Sequence, residues 1–378
     1  MMRWLIILFV LFLIRPVALR ASDELSVTTH VAHAVRKESA LDVSFLLDAP
    51  AGKHGATRAE GNRLCYANGT PARFWGVNFA WEAQYPEVSQ IDAIVKRLGA
   101  SGINLVRLTY LDHLPPKGLV SRLAPTEIVV SEERFDRLDR FATALFEAGI
   151  YVNVVLLMNG KIADITPSLE SNDVASLQMF HPDVIAAHER WIEFFLSHRN
   201  PYTGRTWGEE PGLAFIEIYN EGDPFYLRKK IPAHSEPALA ALHEKWRQWC
   251  QQESFEGSSL FDLTLLDGRL DIGREPARFL SDLQRSHLRE MRAVIRRCGY
   301  TGAICDIAGG SYAPAARWAQ RESDVHVAHY YHDHPNWDEK GALFHNRSGC
   351  ESGLRMLTAA AWERDLQKPY ILGEWDFC

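Results

Sequence analysis

Leu213-Ala214-Phe215-Ile216-Glu217-Ile218-Tyr219-Asn220-Glu221 is a short apolar run that ends abruptly in Asn-Glu, followed by the breakers Gly222, Asp223 and Pro224. A run of that length, rich in aromatic and β-branched residues and bounded by turn formers, reads as a strand buried on both faces. Glu217 is the one charge inside it, so it should point to a polar layer or a partner. Asn220 and Glu221 fall at the carboxyl end, where a polar pair on a barrel strand serves chemistry rather than stability. A second run of the same kind, Pro369-Tyr370-Ile371-Leu372-Gly373-Glu374-Trp375, also closes on a carboxylate. Two glutamates held facing each other on rigid strand tips are what glycoside hydrolysis needs.

Outward from these two runs the chain alternates. Arg73 to Asn78 reads as a first strand, and Val88 to Leu98 as a helix with Ser89 as its N-cap and Gly99 near its end. Ile103 to Leu108 is a second strand. Glu132 to Ala148 is a helix with Phe135, Leu138, Phe141 and Leu145 on one face, closed by Gly149. Ile150 to Leu157 is the third strand, Pro182 to Leu196 a helix, and Leu213 to Asn220 the fourth strand. Two amphipathic helices follow at 236–252 and 276–297, joined by a Gly- and Asp-containing connection. Ala303 to Ile307 is a fifth strand, Asp324 to Tyr331 a sixth, Leu354 to Asp365 a helix, and Tyr370 to Trp375 the seventh strand.

Strands alternating with helices imply parallel pairing through right-handed crossovers. Parallel strands in this number tend to close, and no G-x-G-x-x-G opens a helix, so a dinucleotide fold has little support. The expected fold class is therefore α/β, a (β/α)8 TIM barrel. Cys378 comes only four residues after Glu374. That leaves no room for an eighth strand, so the barrel is expected to be truncated after its seventh, with a segment read as loop supplying the missing strand as the alternative.

The ends and the composition narrow the class further. Residues 1–21 resemble a signal peptide: Arg3, then an apolar run from Trp4 to Ile14 too short to span a bilayer, then the small residues Ala18 and Ala21. A secreted or periplasmic protein is expected, with an uncleaved anchor as the alternative. Residues 22–70, polar and irregular, are expected to form an N-terminal extension, and 71–378 the barrel. A net charge of −7 leaves no basic stripe for nucleic acid. Cys65, Cys250, Cys298, Cys305, Cys350 and Cys378 are too few for a disulfide scaffold in a chain of 378 residues. The chain carries 11 tryptophans and 12 tyrosines. Most should pack in the core, while Trp81 and Trp337, just beyond strand ends, are candidate platforms for the apolar faces of sugars.

The chemistry follows from residue types. Asn220 can donate its amide to the sugar hydroxyl beside the anomeric carbon, a contact that strengthens as the oxocarbenium ion forms. Glu221 would protonate the departing glycosidic oxygen; to keep that proton it needs partial burial and a second carboxylate nearby. Glu374 is the candidate nucleophile and must stay ionised. Arg107, at the end of the second strand, is the obvious cation, since a buried arginine without a carboxylate partner would be costly. His329 and Tyr331, at the end of the sixth strand, could supply further hydrogen bonds. Carboxyl groups about 5 Å apart would make the mechanism retaining. His329-Tyr330-Tyr331-His332-Asp333-His334 also admits a metal-dependent barrel hydrolase, but no first-strand H-x-H accompanies it. A carbohydrate-binding barrel without catalysis is the other alternative. No cofactor and no metal are expected; the partner is an oligo- or polysaccharide.

These motifs resemble glycoside hydrolase family 5, the cellulase and mannanase group of clan A, over the stretch from Arg73 onward. The match is carried by Arg107 after the second strand, Asn220-Glu221 after the fourth, His329-Tyr330-Tyr331 after the sixth and Glu374 after the seventh. The resemblance implies Glu221 as acid/base, Glu374 as nucleophile, and Arg107, Asn220, His329 and Tyr331 as residues that position them. It departs at the end of the third strand, where Leu156-Leu157-Met158-Asn159 stands in place of the family's histidine.

Overall fold

The computed structural model of the chain describes residues 39–158, 174–257, 260–266, 272–310, 313–332, 336–338, 341–343, 358, 361–362 and 364–377, without the side chains of 332–343 and 376–377. The leader call at 1–21 and most of the helix expected at 354–365 lie outside the described residues.

Five parallel strands form one sheet in sequence order: β1 (Gly76–Phe79), β2 (Leu105–Leu108), β3 (Tyr151–Leu157), β4 (Leu213–Asn220) and β5 (Ala303–Ala308). Two more, β6 (His326–His332) and β7 (Tyr370–Phe377), pair in parallel with each other. Backbone bonds from Asp324 to Ile304 (2.9 Å) and from Gly309 to Val327 (3.0 Å) tie β6 to the edge of β5. The Asn78 side chain donates to the Gly373 carbonyl (3.2 Å), so the first and last strands approach each other. Among the described residues no backbone ladder joins β1 to β7. The arrangement is a TIM-barrel-type parallel sheet with a helix after most strands.

The helices cover the outside. They are α1 (Val88–Ala100), α2 (Glu132–Glu147), α3 (Pro182–Ser197), α4 (Glu236–Gln252), α5 (Arg274–Arg297) and α6 (Pro314–Ala319). The β3, β4 and β5 residues are buried on both faces, as continuous apolar runs in parallel sheets should be. On α2, Phe135, Leu138, Phe141 and Leu145 all turn into the core. Gly149 stops that helix with φ 83°, and a Cβ there would come within 2.8 Å of the Ala49 amide. Only glycine suits both demands.

Several boundaries differ from expectation for local reasons. The cap of α1 is Glu87 rather than Ser89: Glu87 and Gln90 form a reciprocal capping box, with the Glu87 amide donating to the Gln90 side chain at 3.3 Å. The first strand begins only at Gly76, because the Asn104 side chain bonds the Trp75 amide (2.7 Å) and the Arg73 carbonyl (2.9 Å) in place of a ladder. The sixth begins at His326, since Asp324 uses its carboxylate on the Ile304 amide (2.9 Å) and on Arg292 (3.0 Å). Residues 57–66 are not irregular but an antiparallel hairpin, Thr57–Glu60 with Arg63–Tyr66. Its Gly61-Asn62 turn was the available signal, and its Thr57 hydroxyl donates to the Ala214 carbonyl. A second hairpin, Val120–Leu123 with Ile128–Val130, fills the connection between β2 and α2.

Candidate active site

A polar layer crosses the otherwise apolar strands. Asn78, Arg107 and Asn153 are register neighbours on β1, β2 and β3. Asn153 donates to Glu217 Oε1 at 2.6 Å. Arg107 is buried, and its guanidinium is fully engaged. Nε lies 3.0 and 3.1 Å from the two Glu217 oxygens, and one terminal nitrogen reaches Glu217 Oε2 at 2.6 Å and Asn220 Oδ1 at 3.0 Å. The other terminal nitrogen reaches Glu374 Oε1 at 2.9 Å. Burial alone would weaken its hold on the proton, but the Glu217 and Glu374 charges more than reverse this and raise its pKa. The Asn220 oxygen accepts from Arg107, which leaves its amide nitrogen as the donor for anything entering from the strand ends.

Glu374 is brought to this layer by an irregularity. The β6/β7 register shifts between Ala328 and His329, so that His329 pairs with Glu374. Gly373 permits it, since a Cβ there would lie 2.5 Å from Val327. Burial would raise the Glu374 pKa, but the His329 ring, the Arg107 charge and a hydrogen bond from the Tyr331 hydroxyl hold it down to about 2.

Glu221 sits one residue past β4 with φ 49°. Its amide donates to the Ala308 carbonyl at 2.8 Å, which holds the turn. His329 Nδ1 lies 2.9 Å from Glu221 Oε1 and 3.6 Å from Glu374 Oε1. The Tyr226 hydroxyl donates to Glu221 Oε2 at 3.4 Å. One ligand atom from each of Glu221, His329 and Glu374 falls within 4.8 Å of the others. The three are therefore also close enough to hold a divalent ion, in competition with the Arg107 guanidinium.

Strain marks the same rim. Trp81 (φ 56°), Tyr110 (φ 60°) and Glu221 are non-glycine residues in the left-handed region, beyond the ends of β1, β2 and β4. Such conformations cost about 1–3 kcal/mol each and concentrate at working sites. Trp81 is partly exposed, packs on Tyr110 with ring centroids 5.6 Å apart, and lies under the Lys117 ammonium at 5.2 Å. The Tyr110 pKa is raised, first by burial and then by the charges of Glu374 and Glu221. Trp337 lies on the short strand Asn336–Asp338; its side chain is outside the described residues.

Arg107, Asn220, Glu221, His329, Tyr331 and Glu374 are thus assembled in one place. Sequence reasoning missed Asn78, Asn153, Tyr110, Tyr226 and Gly309, and left the partner of Glu217 unnamed. Asn78 and Asn153 had a signal, each being a lone polar residue inside an apolar strand. Gly309 (φ 67°) makes room for the pair: a Cβ there would lie 2.5 Å from His329 Nδ1 and 3.0 Å from Glu221 Cγ. Among the described residues no helix is long and apolar enough to cross a membrane.

No protein-family model matches the chain, and no curated protein matches it by sequence. Solved structures do. The endo-1,4-beta-mannanase from Rhizomucor miehei aligns with 84% of this chain and 81% of its own at 14% identity and a TM-score of 0.54. A point mutant of a glycoside hydrolase family 5 mannosidase, also from Rhizomucor miehei, aligns with 85% of this chain and 73% of its own at 12% identity and a TM-score of 0.53. The fold of this chain is that of the glycoside hydrolase family 5 enzymes.

Proposed function

We propose that the protein is a retaining glycoside hydrolase that cleaves β-glycosidic bonds in oligo- or polysaccharides by double displacement. The observation that carries the reading is the separation of the two carboxylates, whose nearest oxygens in the cluster with His329 lie within 4.8 Å. Retaining enzymes hold the pair about 5–5.5 Å apart, whereas inverting ones leave about 6.5–9.5 Å for a water. Glu374, held ionised by Arg107 and Tyr331, attacks the anomeric carbon. Glu221 gives its proton to the departing glycosidic oxygen as that carbon–oxygen bond breaks. Glu221 then takes a proton from water, which attacks the glycosyl ester and frees Glu374. Asn220 grips the neighbouring sugar hydroxyl, and Trp81 with Tyr110 offers a ring face to an adjoining sugar. The endo-1,4-beta-mannanase among the fold neighbours supports a β-mannan as the substrate to try first. The test is a screen of β-glucan, mannan, xylan and aryl β-glycosides, followed by Glu374→Ala. Turnover should vanish in that variant and return in part with azide, giving the glycosyl azide of opposite anomeric configuration. Undiminished hydrolysis by Glu374→Ala would overturn the proposal.

A further inference from the structure

We infer that Glu217 is the standing counter-ion of Arg107 through the catalytic cycle, keeping the guanidinium neutralised while Glu374 is tied up as an ester. The inference rests on the double-displacement reading above. Arg107 lies between two carboxylates of different kinds. The Glu217 side chain is fully buried, while that of Glu374 is 17% exposed. Glu217 makes the tighter contact, through three hydrogen bonds of 2.6–3.1 Å against one of 2.9 Å to Glu374. Asn153 also donates to Glu217 Oε1, at 2.6 Å, and no part of the Glu217 side chain is exposed.

The charge count changes during turnover. At rest the trio holds one cation and two carboxylates. When a Glu374 oxygen bonds to the anomeric carbon, the glycosidic electron pair leaves on the oxygen that takes the Glu221 proton, and Glu374 becomes a neutral ester. If Glu374 were the sole partner of Arg107, a buried guanidinium would then stand uncompensated, which proteins tolerate poorly. With Glu217 in place the guanidinium stays paired, and the ester forms without stranding a charge. When water later cleaves the ester, the Glu374 carboxylate returns to a partner that has not moved. Glu217 is therefore a positioning residue whose effect is asymmetric: it favours formation of the covalent intermediate and slows its breakdown.

The asymmetry is the test. Wild type and Glu217→Gln are treated with β-mannosyl and β-glucosyl fluorides that carry fluorine in place of the hydroxyl beside the anomeric carbon. Labelling of Glu374 is followed by mass spectrometry, and the rate of recovery is measured after the reagent is removed. Glu217→Gln should label more slowly, on the order of tenfold or more, and recover several-fold faster. A merely structural defect would slow both. Glu217→Asp keeps the charge and should hold the ratio of the two rates within about threefold of wild type; this variant carries the test even if the glutamine protein does not fold. Equal slowing of both steps in Glu217→Gln, unchanged rates, or an aspartate variant whose ratio shifts tenfold or more would overturn the inference. A wild type that neither reagent labels at Glu374 would overturn the double-displacement reading itself, and this inference with it.

Discussion

Replacing Arg107 by methionine should destabilise the protein by about 3–5 kcal/mol, the usual cost of removing one partner from a buried ion pair. The upper part of that range is expected here. Glu217 has no exposed side-chain surface to rehydrate, and its other described side-chain bond, from Asn153, carries no formal charge. The loss should be strongly coupled to Glu217. Exchanging a buried pair for apolar groups of similar size is commonly near neutral, so Arg107→Met with Glu217→Leu should recover most of what Arg107→Met loses. Urea unfolding of the wild type, the two single variants and the double variant closes the cycle. A coupling of about 2 kcal/mol or more is expected between residues in direct contact. A cost below about 1 kcal/mol for Arg107→Met, or single effects that simply add, would refute the claim that the layer is a desolvated charge network.

Two further outcomes concern the carboxylates and their housing. The folded Glu374 pKa, about 2, lies below its ordinary 4.5, so the unfolded chain binds more protons between those values. Its contribution is fully present above about pH 4.5 and is lost as pH falls through about 2. The size is roughly 3 kcal/mol, so the acid side of the stability curve should be flatter in Glu374→Gln; parallel curves would contradict the assignment of that low value. Gly309→Ala combines a left-handed backbone with a Cβ crowding His329 and Glu221, and should cost about 1–3 kcal/mol of stability. Activity should drop by about a hundredfold, in line with misplacing reacting groups by an ångström, and an alanine variant with wild-type kcat/KM would contradict the packing.

Much of the barrel was legible because its strands are buried on both faces and its helices on one. Such segments advertise themselves by continuous or 3.6-residue apolar patterns, and β4 shows this best: Leu213–Asn220 was expected and found to the residue. Asn220-Glu221 and Glu374 could be read for the same reason, since they interrupt apolar runs, although the last strand continues past Glu374 to Phe377. What escaped was set by contacts distant in sequence. Tyr110 carries no pattern of its own, and only the packed rim shows that it lies in the left-handed region with its ring 5.6 Å from that of Trp81. The bulge at Ala328/His329 that aligns His329 with Glu374 depends on a glycine 45 residues further on. The hairpin at Thr57–Tyr66 was hidden by short, polar strands whose one anchor, the Ala214 carbonyl, lies 157 residues away.

The most direct measurement is the anomeric configuration of the first sugar released from a β-linked oligosaccharide, followed by proton NMR before mutarotation sets in. Carboxylates within 4.8 Å of each other leave no room for a water between nucleophile and anomeric carbon. The β anomer should therefore appear first and the α anomer only later, by mutarotation. Initial appearance of the α anomer would contradict the double displacement on Glu374.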